Sequence, residues 1–423
     1  MSVVIPLASK IHGREYYENL LKSIQTLFEA HGIKVFNVLD SEDLITDEVL
    51  NVINKSIPIL LILTGGTSRL GGRLITQGSV KGAIILAHGE HNSLPSAISI
   101  RSRADVEGIA AKIYFCEELR SKKCVETLEE AVRLGKALND IVRTHVAVVS
   151  DSPEDYYNLF EGTYGIKLSL LSYEELERSF KDVSDEEVMS SLINLKSKLH
   201  LLGVNEKYLK DTLRVYISMK KLLSNYGYNA IAIDCFPFIM KYGLTPCLAV
   251  SLLNDDGVPT ACEADLRSLL IMLMVKSLGV WPAWIANVSS INGNRMVLSH
   301  CTIATKLGYQ CSLLTHFESN YPYSLTCSIP NGPYTLASVD REFTTVASLK
   351  AKVVDSGFKS EAMCRTQVIL ESEVDLSDFP NIALSNHHVL IPGNISDRLK
   401  VISHMFGMDF ITYESLIKYL SEV

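Results

Sequence analysis

Between residues 234 and 318 the chain gathers carboxylates, imidazoles and amides at the ends of apolar runs. Asp234–Cys235–Phe236–Pro237 closes one such run. Cys262–Glu263–Ala264–Asp265 opens the apolar stretch Leu266–Leu278, shortly after Pro259. Asn287 ends Pro282–Ala286, His300 and Cys301 end Met296–Ser299, and His316–Phe317–Glu318 follows. Near the C-terminus, Asn386–His387–His388 precedes another apolar run. Carboxylate, imidazole and amide oxygen form a borderline-hard donor set that suits Mn²⁺, Mg²⁺ or Co²⁺ with open positions. It is unlike the sulfur-rich, closed set of structural zinc. Such a site can clamp two neighbouring sugar oxygens and stabilise an enediolate. Each residue also has a simpler role. Glu263 and Asp265 in a first helical turn gain from the helix dipole, and Asp265 can serve as a cap alone. Adjacent strand residues face opposite sides, so at most one of His387 and His388 enters a given site. A Cys–His nucleophile pair on Cys301 or Cys235 has no elbow or oxyanion loop beside it.

Two N-terminal segments carry weaker signals. Thr64–Gly65–Gly66–Thr67–Ser68 follows a buried strand, where backbone amides could hold a hydroxyl or phosphate. It lacks the lysine of a P-loop and the third glycine of a dinucleotide fingerprint. His88, Glu90 and His91 end another strand and could resemble metal ligands. Residues in such places more often line a cleft or cap the next helix, as Asn92 or Ser93 would before Pro95.

The elements that must position these groups are legible in the hydrophobic pattern. Residues 1–143 read as one α/β unit. Strands are expected at Ser2–Ala8, Lys34–Val38, Ile57–Thr64 and Gly82–His88, with helices at Tyr16–Gly32, Asp47–Asn54, Asp105–Cys116 and Thr127–Arg143. Continuous apolar strands alternating with helices imply a parallel sheet covered on both faces. Residues 144–285 read as a second such unit carrying Glu263. Its expected strands are His145–Ser150, Lys167–Leu171, Ala230–Phe236 and Cys247–Leu252. Asp151–Ser152–Pro153 is a helix-start signal, and Ser184–Asn225 reads as two helices. Residues 286–423 switch to short alternating segments with Asn-Gly and Gly-Asn turns, an antiparallel β domain closed by a helix at Asp397–Phe406. The fold class is therefore α/β, with two Rossmann-like parallel sheets followed by an antiparallel β-barrel-like C-terminal domain.

Composition narrows the function. With 423 residues, 47% hydrophobic and 21% charged, every domain can build a core. A net charge of −8 and a pI near 5.8 argue against a nucleic-acid groove. No apolar run reaches the ~18 residues of a membrane helix, and no secretory leader is recognisable. The nine cysteines, an odd number without paired spacing, read as small buried hydrophobes of a reducing, cytoplasmic compartment.

Asp234–Pro237, Thr245–Pro246–Cys247–Leu248–Ala249, Ala261–Asp265, Leu298–Ser299–His300–Cys301 and Asn386–His387–His388–Val389 together resemble the L-fucose/L-arabinose isomerase superfamily, in particular its shorter fucose-isomerase-like branch. Thr64–Thr67 and Asn92–Pro95 fit that branch's first domain. The resemblance implies a homo-oligomeric enzyme, trimer or hexamer, with its active site between domains. It would interconvert an aldose and a ketose through an enediol, with a divalent metal, commonly Mn²⁺. It implies Glu263, Asn287, His300 and His388 as metal ligands, and Thr67, Asn92, His300 and His316 as substrate contacts. Asn287 stands where the family has its second carboxylate, and an amide oxygen can ligate a metal but cannot accept a proton. Either Asp265 or Glu318 then joins Glu263 as the catalytic carboxylate, or the chemistry differs. The alternatives are another enediolate-forming lyase or epimerase on a sugar derivative, or a non-catalytic sugar-binding protein.

Overall fold

The computed structural model describes residues 2–422 other than Ser79, Pro153, Asp155, His200 and Leu202. The helix-start signal at Asp151–Ser152–Pro153 thus includes a residue outside the described set. The chain divides into two compact units, residues 1–142 with 401–408, and residues 143–400 with 409–423.

The first unit holds β1 (Val3–Leu7), β2 (Lys34–Val35), β3 (Ile59–Ile62), β4 (Gly82–His88) and β5 (Ala110–Cys116), in the order β2-β1-β3-β4-β5. All pairs are parallel. The uninterrupted apolar run of β3 is completely buried, as a strand covered on both faces requires. The helix expected at Asp105–Cys116 is instead strand β5. The preceding helix, Ser93–Val106, stops at Gly108 in the left-handed region, and the Lys-Ile-Tyr-Phe run then extends alongside β4.

The second unit contains two layers of different construction. Its parallel sheet comprises β6 (His145–Val149), β7 (Lys167–Leu171), β8 (Ala230–Ile233) and β9 (Thr260–Cys262), in the order β7-β6-β8-β9. Cys247–Asp255 is a helix rather than the expected strand. It is apolar on nearly every side because it is buried, and a short apolar run gives no periodicity to separate helix from strand. Asn254 ties its end to β9, exchanging hydrogen bonds with the Thr260 main chain at 2.9 and 3.0 Å.

The remaining strands are β10 (Trp284–Asn292), β11 (Arg295–His300), β12 (Tyr309–Leu314), β13 (Ser324–Ser328), β14 (Gly332–Val339), β15 (Thr345–Gly357), β16 (Thr366–Glu371), β17 (His387–Pro392) and β18 (Asp409–Thr412). Six of them run β14-β17-β10-β11-β16-β15, and β14 pairs with β15 to close an antiparallel barrel. Closure removes free sheet edges. Trp284, Leu298, Leu336, Leu349, Leu370 and Leu390 fill its core. Strands β12 and β13 form a separate two-stranded sheet, and β18 adds to β15 in parallel.

The cysteine expectation needs correction. Cys116–Cys124 and Cys311–Cys327 are disulfide-bonded, and five cysteines are free. Cys116 ends β5 and meets Cys124 in the helix Lys122–Val142, and Cys311 and Cys327 join β12 to β13, proximities that spacing alone did not reveal. Among the described residues, no helix is long and apolar enough to cross a membrane.

Candidate metal centre

Strands β8 and β9 end in step. Ile233 pairs with Cys262, so Asp234 and Glu263 follow side by side at the carboxyl end of the parallel sheet. That end is where open α/β sheets present ligands. The Ala264 N–H then donates to the Ile233 carbonyl at 3.0 Å, turning the chain sharply. Glu263 and Ala264 both take left-handed φ values, +54° and +48°, which costs ~1–3 kcal/mol per non-glycine residue. The turn aims the Glu263 side chain while Asp265 starts the helix Leu266–Ser277. Asp265 Oδ1 accepts from the N–H groups of Arg267 and Ser268 at 3.0 and 3.2 Å, and Oδ2 accepts from Ser268 Oγ at 2.6 Å.

The barrel supplies the imidazoles. His387 begins β17 and His300 ends β11, with β10 between them in the barrel order. Glu263 Oε1 lies 3.7 Å from His300 Nε2 and 3.6 Å from His387 Nε2. The two rings are 5.4 Å apart at their centroids. One donor atom from each of these three residues falls within a 4.8 Å set, and this is the group of potential metal-binding side chains among the described residues.

These separations exceed a good hydrogen bond. Two donor atoms each ~2.0–2.6 Å from one ion lie at most ~5 Å apart, and these separations fall within that reach. His387 Nδ1 lies 3.0 Å from Asp265 Oδ2 and donates to it, which fixes the ring and turns Nε2 towards Glu263. That Nε2 is buried and has no hydrogen-bond partner. A buried nitrogen without a partner, facing a carboxylate and a second imidazole, is what a divalent cation would satisfy. The donors present fit one.

The charges of the metal-free group favour an imidazolium between carboxylates, so a cation would displace a proton from it. Burial works against ionisation of Glu263, and the two imidazoles facing it overcome that, holding its carboxyl well below the usual range. Burial likewise opposes charge on Asp265, but His387 and Ser268 bring it down to about 2. His387 is pushed up to about 10, because Asp265 and Glu263 outweigh its burial. His300 is flanked by Cys262 Sγ at 3.5 Å and Thr302 Oγ1 at 3.3 Å. Burial keeps Cys262 a thiol.

The other expected site residues have different fates. His388 does not join the group. Strand alternation turns it to the opposite face, where Nε2 meets the Tyr413 hydroxyl at 3.0 Å and the ring packs on Phe379. Burial pushes it down to about 3. His387, its neighbour, takes the place expected for His388. Asn287 stands opposite His387 in the register, and its Oδ1 accepts from Asn386 Nδ2 at 3.4 Å. Asp265 is buried and fully engaged, a partner of His387 rather than an open base. His316 accepts from Ser319 N–H at Nδ1, lies 3.7 Å from Glu318 Oε2, and packs edge-on against Phe236.

Thr67 and Asn92 belong to the first unit. Thr67 is buried and donates to the Thr64 carbonyl at 3.1 Å; Asn92 is exposed in the left-handed region. Their loops touch: Gly65 N–H donates to His91 O, and a side chain at Gly65 would lie 2.6 Å from Asn92 Cβ. His88 is no ligand candidate, since Nε2 bonds the Leu63 carbonyl and Nδ1 accepts from Glu90 N–H.

No family model matches the chain. Among characterised proteins it is similar to several sulfoquinovose isomerases. It is 20% identical to that of a Clostridium species over 346 residues, 76% of each chain. It is 24% identical to that of Priestia megaterium over 302 residues, 67% of this chain and 66% of the relative. The likeness to the Alkalicoccus urumqiensis protein is 21% over 188 residues, so there the chain spans 42% of the relative's length.

Proposed function

We infer that this protein is a sugar aldose–ketose isomerase that works with a divalent cation held by Glu263, His300 and His387. The observation carrying this reading is the unpartnered, buried Nε2 of His387, set 3.6 Å from Glu263 and oriented from behind by Asp265. The likeness to sulfoquinovose isomerases supports the reaction class. The sequence resemblance to fucose and arabinose isomerases adds the cation, with Mn²⁺ the first to try. When bound, the cation would polarise the sugar carbonyl and neutralise charge developing on its oxygen.

The chain's own groups do the rest. Glu263 brings the negative charge that retains a dication at the carboxyl end of the sheet. Asp265 holds the Nδ1 proton of His387, so a cation would take Nε2 in exchange for the proton that the imidazolium carries there. His300 supplies the second nitrogen from the barrel side. The test is solvent deuterium exchange at C2 together with ketose formation, run with sulfoquinovose, L-fucose, L-arabinose and D-arabinose on metal-stripped and Mn²⁺-loaded protein. Metal-dependent conversion of at least one sugar is expected. Exchange without ketose would favour a lyase or epimerase, and neither signal would favour a binding protein.

A further inference from the structure

Isomerisation needs a group that takes the C2 proton and returns it to C1, and Asn287 cannot do this. Asp265 cannot reach a sugar, because both of its oxygens are spoken for and it is buried. Glu318 sits in the loop after β12, with half its side chain exposed to solvent. Asp234 is differently placed. It is the residue after β8 as Glu263 is the residue after β9, and neighbouring strands lie ~4.8 Å apart. It stands at the N-cap of the helix Cys235–Tyr242, yet its side chain makes no capping bond. The carboxylate is instead turned to Ser150 at the end of β6, whose Oγ donates to Oδ2 at 3.3 Å. Its backbone is held by the Tyr173 hydroxyl, which donates to the Asp234 carbonyl at 2.6 Å. An aspartate that forgoes its cap, on a rigid strand end beside Glu263, is held for another purpose.

We propose that Asp234 is the catalytic carboxylate that carries the proton between C2 and C1, in place of the acid missing at Asn287. This rests on the isomerase reading above. Asp234 accepts the C2 proton, the C2–H electron pair becomes the C1=C2 bond, and the carbonyl pair moves onto O1. The hydroxyl proton of O2 passes to O1. Asp234 then returns its proton to C1, and the O2 pair forms the ketose carbonyl. No oxidant or co-reactant is consumed.

The experiment compares the full-length wild type with Asp234→Asn and Asp234→Ala, each loaded with Mn²⁺, by metal content, ketose formation and C2 deuterium exchange. Both variants should keep metal near the wild-type stoichiometry while turnover and exchange fall about 10²–10⁴-fold. Added formate should restore part of the lost rate to Asp234→Ala and none to Asp234→Asn, a response that a purely structural residue would not give. Activity within threefold of wild type in Asp234→Asn overturns the assignment alone. Loss of metal in both variants also overturns it, since Asp234 would then belong to the metal site. A metal-loaded wild type that neither converts nor exchanges any of the sugars overturns both this assignment and the isomerase reading.

Discussion

His88 and His387 are both buried histidines at the margin of a sheet, yet their surroundings differ in kind. His88 ends β4 in the first unit, and the main chain of Leu63 and Glu90 occupies both its nitrogens. Burial pushes it towards the neutral form. His387 begins a barrel strand, with one nitrogen bonded to Asp265 and the other facing Glu263 Oε1 at 3.6 Å, beyond hydrogen-bond reach. Two carboxylates pull it towards charge. A satisfied imidazole holds loops together, and an unsatisfied one facing a carboxylate waits for a ligand. Burial alone does not separate the two cases; hydrogen-bond accounting does.

The largest effect that could break this contrast comes from the adjacent pair. His387→Leu should abolish stoichiometric metal, since it removes a ligand and the imidazole partner of Asp265. His388→Leu should leave metal content unchanged and lower stability by ~1–3 kcal/mol, because the bond to Tyr413 is lost in the core. His388 Nδ1 also lacks a partner, but His388 belongs to no group of possible metal-binding side chains among the described residues. Metal analysis and urea denaturation of both variants check this, and the reverse pattern would restore His388 as the ligand.

A smaller effect is expected from Asp265→Asn. The amide oxygen can still cap the helix, but the neutral amide no longer holds the Nδ1 proton of His387 as the carboxylate does. Metal affinity should drop ~10–100-fold with little change in the thermal midpoint. An equal loss of stability would mean that Asp265 is chiefly a cap.

The smallest effect sharpens the His88 side. Its pKa is lowered from 6.5, so below that pH the unfolded chain takes up a proton that the folded unit refuses. Stability is complete above pH 6.5 and falls as pH drops towards the depressed native value, by at most ~1.4 kcal/mol per pH unit. His88→Gln should flatten the slope of urea-unfolding free energy between pH 7 and 5.5, with metal content untouched. An unchanged slope would show that His88 charges freely in the folded state.

Much of this arrangement was legible in the residues, and the exceptions have physical causes. The parallel sheets showed as continuous apolar runs, and the barrel as a switch to alternation with Asn-Gly turns. Cys247–Asp255 was misread because a helix buried on all sides loses its polar face. Ala110–Cys116 was misread because the expected helix Asp105–Cys116 ran through Gly108, where the helix Ser93–Val106 has already ended. Glu263 and His300, singled out from residue type and position at strand ends, fall in the group of potential metal-binding side chains. The choice between His387 and His388 was not legible, since alternation says that they part but not which one faces the sheet. That depends on the register of β17 against β10, a long-range fact. Asp234 was visible as part of a motif, but its missing cap bond exists only in three dimensions.

The central claim is that Glu263, His300 and His387 together hold one divalent cation. The most direct measurement is Mn²⁺ binding to metal-stripped protein, followed by electron paramagnetic resonance and compared with Glu263→Gln, which keeps the side chain's size and removes its charge. The account predicts one tight Mn²⁺ per wild-type chain and at least 100-fold weaker binding in the variant, with the thermal midpoint of the metal-free protein preserved. Equal Mn²⁺ binding by wild type and Glu263→Gln, or none by either, would contradict it.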